Sequence, residues 1–131
     1  MAQVLVCAPA NLAVDNLAEQ LAKVLPQLGW RVLRFESQAR QHLSTGPAEL
    51  SVDFHLQTVA DPTGEVQTYR RLCMLKQQTS ELSAADLKQL SSARKVATQM
   101  AVNAAHVVCC TCSAAGDPLL AGFSFPYVLI D

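Results

Sequence analysis

Residues 4–11 read Val4-Leu5-Val6-Cys7-Ala8-Pro9-Ala10-Asn11, and their order indicates the class of fold. Its first four residues form a short, continuous apolar run, which is typical of a strand buried on both faces of a parallel sheet. A turn follows, and Asn11 is predicted to be the N-cap of the next helix. A buried strand that leads directly into a helix favours an α/β fold with a parallel sheet.

The residues that follow extend this pattern. Apolar side chains recur at steps of three and four from Val14 to Leu28, which predicts an amphipathic helix that ends at Gly29. Arg31–Phe35 is predicted to be the second strand. The strand–helix–strand order implies a right-handed parallel crossover.

The second half of the chain predicts two long helices and two more strands. Glu65–Gln78 is helix-permissive, and Ser83 with Asp86 resembles a capping box for a helix that runs to about Ala105. We expect these helices to form an antiparallel hairpin that projects from the sheet, with Leu87, Leu90, Ala97, Met100, Ala101 and Ala104 on its apolar side. Buried strands are predicted at His106–Thr111 and Tyr127–Ile130. Turn signals lie at Gly46-Pro47 and Asp61-Pro62-Thr63-Gly64, with a short helix permitted between them.

Length and composition limit the classes of protein to which the chain can belong. The chain has 131 residues, suited to one domain or part of one, and ten basic side chains nearly balance eleven acidic ones. A stand-alone nucleic-acid binder usually carries net positive charge, so any nucleic-acid contact must use a few placed groups. No secretory signal and no run of about 20 apolar residues is visible, so no membrane partner is expected. Five cysteines, mostly in apolar runs, indicate a reducing intracellular compartment.

Three predicted strand ends carry candidate functional residues, because ligands of open parallel sheets bind beyond the carboxyl ends of the strands. Pro9, Ala10 and Asn11 precede a helix whose free N–H groups suit a phosphate. Thr111 is followed by a loop that begins near Ser113, and Asp131 follows four apolar residues, as does the Mg²⁺-associated carboxylate of P-loop NTPases. Each has an ordinary alternative, namely a simple helix cap, a turn, or a chance acidic residue.

The Cys109-Cys110-Thr111-Cys112 run permits a zinc hypothesis, but buried structural thiols are the favoured interpretation. A structural zinc site needs about four ligands in paired spacing. Neighbouring strand residues also point to opposite faces, which separates Cys109 from Cys110. His42, His55 and His106 show no metal spacing and no obvious nucleophile partner.

The order of these segments resembles the first motor domain of superfamily 1 RNA helicases of the up-frameshift (regulator of nonsense transcripts) type. The resemblance is carried by Val4–Asp15, similar to motif Ia, by Glu81–Asp86, by Asn103–Cys112, by Gly116–Leu120 and by Val128–Asp131, which looks like the start of the D-E-x-x-Q motif II. It spans nearly the whole chain and is weakest from about Ser37 to Thr79. Two positions depart from the family pattern: Ala10 replaces a usual Ser, and Ala114 replaces a usual Gly.

The resemblance implies a partial RecA-like sheet of the P-loop NTPase type over residues 1–131, with a helical stalk at about 65–105. It implies ATP and Mg²⁺ as cofactors of the full-length parent, single-stranded RNA as ligand and mRNA-decay factors as protein partners. Pro9, Ala10, Asn11, Thr111 and Ser113 are expected near RNA, and Asp131 on the Mg²⁺ side of ATP. A cytoplasmic location, with nuclear shuttling open, is also implied.

Absent motifs limit what the chain is expected to do by itself. No G-x-x-x-x-G-K-[ST] loop is present, and no Glu follows Asp131. We therefore expect a truncated or partial chain that does not hydrolyse ATP or bind it tightly, although its parent is an ATP-dependent helicase. The alternative hypothesis is a non-enzymatic α/β module that binds a protein through the helical hairpin, which near-neutral charge mildly favours.

Overall fold

The computed structural model describes residues 3–37, 48–61, 63–79 and 81–131. Four strands form one parallel sheet: β1 Val4–Ala8, β2 Val32–Arg34, β3 Val107–Thr111 and β4 Tyr127–Ile130. Their order across the sheet is β2-β3-β1-β4. The predicted α/β class with a parallel sheet is confirmed, and β1 and β3 form its centre.

Side chains alternate between the two faces of the sheet and divide the core into two apolar clusters. Leu5 and Cys7 of β1 point into one cluster, and Val6 and Ala8 point into the other. Helix α1, Asn11–Val24, covers the second face through residues such as Val14. The remaining helices cover the first face: α2 Val52–His55, α3 Glu65–Thr79 and α4 Ala84–Ala104. The sheet is therefore sandwiched between two helical layers.

The first helix and second strand lie close to their predicted positions. Helix α1 continues into a 3₁₀ turn at Leu25–Leu28, which ends at Gly29 with a φ of 78°. That left-handed backbone suits glycine, as the sequence indicated. Strand β2 is shorter than predicted, because ladder pairing is limited to Val32–Arg34, although the Phe35 N–H still donates to the Cys109 carbonyl at 2.8 Å.

The helical hairpin is present, and its start is capped as predicted. The Ser83 hydroxyl accepts a hydrogen bond from the Asp86 N–H at 3.1 Å. One expected apolar position is wrong: Leu87 is 47% exposed, because the end of α3 nearest the connection is polar and covers no apolar face. Further along α4, residues such as Leu90 and Ala101 join the same cluster as the sheet, so the hairpin packs on the sheet for part of its length.

The segment between the sheet strands contains the short helix that the sequence permitted. A 3₁₀ turn at Ala48–Leu50 precedes α2, whose N-cap Ser51 accepts from the Phe54 N–H at 3.2 Å. The turn before α3 is also present, since the Gly64 N–H donates to the Asp61 carbonyl at 3.3 Å. The predicted turn at Gly46-Pro47, and Pro62 of the second turn, lie outside the described residues.

Strand β4 differs from its prediction as a buried strand. It pairs with β1 on one side, yet Tyr127, Val128, Leu129 and Ile130 are each between 51% and 72% exposed. An apolar run predicts a strand, but burial also depends on which elements cover its two faces. No helix within the described ranges is both long and apolar enough to cross a membrane.

The open β4 edge predicts self-association of the chain. An exposed edge strand offers unpaired N–H and C=O groups and hydrophobic side chains to a second copy of the chain. We expect sedimentation velocity to show concentration-dependent association. The double variant Val128→Lys, Ile130→Lys should weaken it at least about tenfold, because edge lysines resist strand pairing. A wild-type chain that stays monomeric across the accessible concentration range would contradict this prediction.

His55 predicts a loss of stability in mild acid. It is 6% exposed, its ring Nδ1 lies 2.8 Å from the Ser51 carbonyl, and burial, with a smaller contribution from Arg31, lowers its pKa below the ordinary value of 6.5. The folded chain thus prefers neutral His55. Its contribution to stability is complete above pH 6.5 and falls as the pH drops from there through the lowered folded-state pKa.

Denaturant unfolding at several pH values tests this prediction. The free energy of unfolding of the wild type should fall between about pH 7 and pH 5.5, above the range in which exposed carboxylates titrate. His55→Gln should flatten this part of the profile. An unchanged slope in the variant would assign the effect to other groups.

Candidate functional site

The three predicted strand ends meet at one edge of the sheet. In the parallel register, Ala8 lies beside Thr111 and Cys7 lies beside Ile130. The Cys112 N–H donates to the Ala8 carbonyl at 3.0 Å, and the Asp131 N–H donates to the Cys7 carbonyl at 2.9 Å. The end of β1 therefore binds both neighbouring strand ends, and the fold supplies the convergence that the sequence predicted.

The helix after β1 begins without a side-chain cap. Its N-cap residue is Ala10, with extended backbone angles, and no side chain accepts a hydrogen bond from its first turn. The expectation that Asn11 is the N-cap is wrong, because Asn11 is the first helical residue. The first N–H groups of a helix have no partner within the helix, so this uncapped end is suited to an acceptor such as a phosphate oxygen.

Asn11 instead takes part in a buried network centred on Arg34. Arg34 Nη2 donates to Asn11 Oδ1 at 3.0 Å, and Nε donates to Asp15 Oδ1 at 2.8 Å. Arg34 Nη1 donates to the Phe35 carbonyl at 2.7 Å, and Glu36 Oε1 lies 3.7 Å from Nη2. The Arg34 residue is 4% exposed and Asp15 is 8% exposed. The network fastens the start of α1 to the end of β2.

Sequence reasoning missed Arg34 and Asp15. Arg34 was included in an apolar strand and Asp15 in a helix, without a role for either charge. The available signal was the position of Arg34 inside Val32–Phe35, because a charge within an apolar run must have a buried partner. The register of α1 against β2, which supplies that partner, is not readable from either segment alone.

The loop after β3 is held by its own side chains. Thr111 is buried, and its Oγ1 accepts a hydrogen bond from the Ala114 N–H at 3.1 Å. Asp117 Oδ1 accepts from the Leu119 N–H at 2.9 Å. Ser113 is exposed, so its hydroxyl is open to a ligand, whereas Thr111 is buried and its oxygen already accepts from Ala114.

Most of the predicted RNA-contacting residues line one groove. Pro9, Asn11, Thr111 and Ser113 border it, and Ala10 is exposed at its rim. Asp131 does not join them. It is exposed beside a separate, mainly apolar groove between α1 and β4. The structure thus groups the RNA candidates on one side of the β1 end and leaves Asp131 on the other.

The buried cysteines behave as structural thiols. Cys110 packs in one core cluster and Cys109 in the other, as strand alternation predicted. Burial raises the pKa of each to about 12, so both remain protonated near neutral pH. Across the described ranges, no group of three or more His, Cys, Asp or Glu side chains is placed to hold a metal ion.

Comparisons with known proteins agree with this architecture. A family model described as "AAA domain" matches residues 65–131, from α3 through Asp131. The chain belongs to the AAA domain family. The matched half contains Thr111, Ser113 and Asp131, while Pro9, Ala10 and Asn11 precede it.

Curated relatives cover nearly the entire chain. The chain is 37% identical over 129 residues to the "Regulator of nonsense transcripts 1 homolog" of Arabidopsis thaliana. The aligned residues make up 98% of this chain and 10% of the relative. The "ATP-dependent helicase upf1" of Schizosaccharomyces pombe is 38% identical, again over 98% of this chain and 13% of the relative. The "ATP-dependent helicase NAM7" of Saccharomyces cerevisiae is 36% identical over 98% of this chain and 12% of the relative. The resemblance to up-frameshift-type helicases is confirmed, and the chain spans about a tenth of the length of these relatives.

Proposed function

We propose that this chain is the part of an ATP-dependent RNA helicase motor, of the nonsense-mediated mRNA decay type, that contacts single-stranded RNA. The observation that carries the proposal is the groove at the carboxyl edge of the sheet. It combines the uncapped start of α1 with Asn11 and the exposed Ser113 hydroxyl. The names of the relatives, two of which are ATP-dependent helicases, support the same function.

The groups in the groove suit a nucleic-acid backbone more than a base edge. Free helix N–H groups, an amide and a hydroxyl bind phosphate oxygens without reading sequence. The chain has a net charge of −1, so its affinity for RNA must come from these few contacts and be modest.

Asp131 is proposed to lie on the Mg²⁺ side of ATP in the complete motor. Mg²⁺ sites at nucleotides use one or two carboxylates together with substrate phosphates and waters. A single exposed carboxylate at a strand end fits that donor set. The bound ion would neutralise phosphate charge, while Asp131 would hold or orient it. We expect no measurable ATP turnover by residues 1–131, since they contain no phosphate-binding loop sequence.

An RNA titration tests the proposed groove. Fluorescence anisotropy with a labelled oligouridine at low salt should show binding by the wild-type chain, and Asn11→Ala should weaken it about fivefold or more, close to 1 kcal/mol for one lost hydrogen bond. Asn103→Ala is the matched control, because Asn103 is also a helical asparagine but is exposed at the far end of α4. Equal affinities for the two variants would place RNA binding elsewhere.

A protein-binding role for the helical hairpin is the second candidate. Met74 on α3 and Leu87 on α4 are 59% and 47% exposed, which favours a contact surface for a protein such as a decay factor. The double variant Met74→Gln, Leu87→Gln separates the two functions, since it should leave oligouridine binding unchanged.

A further inference from the structure

The Asn11 side chain has a fixed orientation, because its only described partner can only donate. A guanidinium has five N–H donors and no acceptor, so the Asn11 atom 3.0 Å from Arg34 Nη2 must be the carbonyl oxygen. The two N–H groups of the amide are then the atoms with which Asn11 can bind a ligand in the groove that it lines. An asparagine without this contact can present either its oxygen or its nitrogen.

We propose that Arg34 is a positioning residue that makes Asn11 an obligatory hydrogen-bond donor to a phosphodiester oxygen of the bound RNA. This inference rests on the proposed function and deepens it. It gives the Asn11 side of the groove a defined polarity, because the amide N–H groups and the free N–H groups of α1 can pair only with acceptors, whereas the Asp117 carboxylate also lines the groove. A phosphodiester supplies acceptors and no donor, so its oxygens match this arrangement.

Arg34 is itself firmly held, which a positioning residue requires. Its guanidinium is bound on three further sides by Asp15, the Phe35 carbonyl and Glu36. Because the residue is 4% exposed, it acts through Asn11 and does not touch phosphate. A lysine keeps the positive charge opposite Asp15 but lacks the planar fork that binds several acceptors at once. Arg34→Lys should therefore release Asn11 while preserving the buried charge pair.

A double-mutant cycle tests this role. Oligouridine affinity is measured for the wild type, Asn11→Ala, Arg34→Lys and the double variant, at a temperature where thermal unfolding shows each to be folded. Arg34→Lys should weaken binding about fivefold in the wild-type background and less than about twofold in the Asn11→Ala background, because its effect passes through Asn11. The exposed Arg70→Lys is the matched control and should change nothing.

The salt dependence of oligouridine affinity shows whether Arg34 contacts phosphate directly, because loss of such a contact would change it. The slope of log affinity against log salt should be the same for Arg34→Lys and wild type, whereas loss of one direct phosphate contact would reduce it by about 0.7. If Arg34→Lys does not fold, side-chain amide NMR of the wild type decides. The Asn11 N–H pair, assigned by its absence in Asn11→Ala, should shift when oligouridine is added.

The outcomes separate the inference from the proposed function. Three results would overturn the role of Arg34 alone. These are an equal loss of oligouridine affinity from Arg34→Lys in both backgrounds, a changed salt slope, and an Asn11 amide signal that does not shift when RNA binds. Failure of the wild type to bind oligouridine would overturn the proposed function and the inference with it.

Discussion

Replacing Arg34 with methionine should lower the free energy of unfolding by about 3–5 kcal/mol, because it leaves the carboxylate of Asp15 buried without its partner. The Arg34 Nε–Asp15 Oδ1 distance is 2.8 Å, and the two side chains are 3% and 11% exposed. Methionine fills much of the space of the arginine stem but supplies no donor. Denaturant unfolding at neutral pH measures the loss, which would be a large fraction of the roughly 5–15 kcal/mol that typically stabilises a folded domain.

Two further variants show whether the loss comes from the buried charge. Arg70→Met makes the same chemical change at an exposed position of α3 and should cost no more than about 0.5 kcal/mol. Adding Asp15→Leu to Arg34→Met should recover part of the stability, because an apolar pair has no unpaired charge to bury. A loss below about 1 kcal/mol for Arg34→Met would mean that water or another group reaches Asp15 readily.

Replacing Ala10 with aspartate should stabilise the fold and weaken RNA binding at the same time. Ala10 already has the extended backbone of an N-cap but offers no acceptor to the first turn. An aspartate there should add about 0.5–2 kcal/mol to the free energy of unfolding, because it caps α1 and places a negative charge at the positive end of the helix dipole. The same carboxylate would occupy the N–H groups and repel phosphate, so oligouridine affinity should fall at least about tenfold, or 1.4 kcal/mol.

Ala10→Ser is the matched control, since serine caps a helix without a charge. It should stabilise the fold by a comparable amount but reduce RNA affinity much less than aspartate does. Opposite changes in stability and binding are expected where a protein keeps a site open for a ligand. If Ala10→Asp and Ala10→Ser bind oligouridine equally, phosphate does not approach the start of α1.

The elements of this fold were predictable where a local pattern determines them. Val4–Cys7 forms a central strand because a continuous apolar run needs cover on both faces, and Ser83 begins α4 because a hydroxyl and a following carboxylate define a helix start. Burial was less predictable. Tyr127–Ile130 has the same apolar character as β1, but its exposure depends on neighbours that the run itself does not specify.

The position of the candidate site was predictable, but the hydrogen bonds between its side chains were not. The carboxyl ends of parallel strands gather at one edge, so Pro9, Thr111 and Asp131 were placed at the same end of the sheet from sequence. An asparagine after a turn is most often a cap, and only the packing of α1 on β2 shows that Asn11 is bound by Arg34 instead. Tertiary contacts of this kind have no short-range signature.

Two neighbouring carbonyls at the end of β1 tie the two sides of the molecule together. The Cys7 carbonyl accepts from the N–H of Asp131, and the Ala8 carbonyl accepts from the N–H of Cys112, which leads into the Ser113 loop. These carbonyls belong to the two peptide units on either side of Ala8, so a displacement of Ala8 should move both the backbone of Asp131 and the start of the Ser113 loop. The end of β1 therefore couples the position of Asp131 to that of the Ser113 loop through two backbone hydrogen bonds.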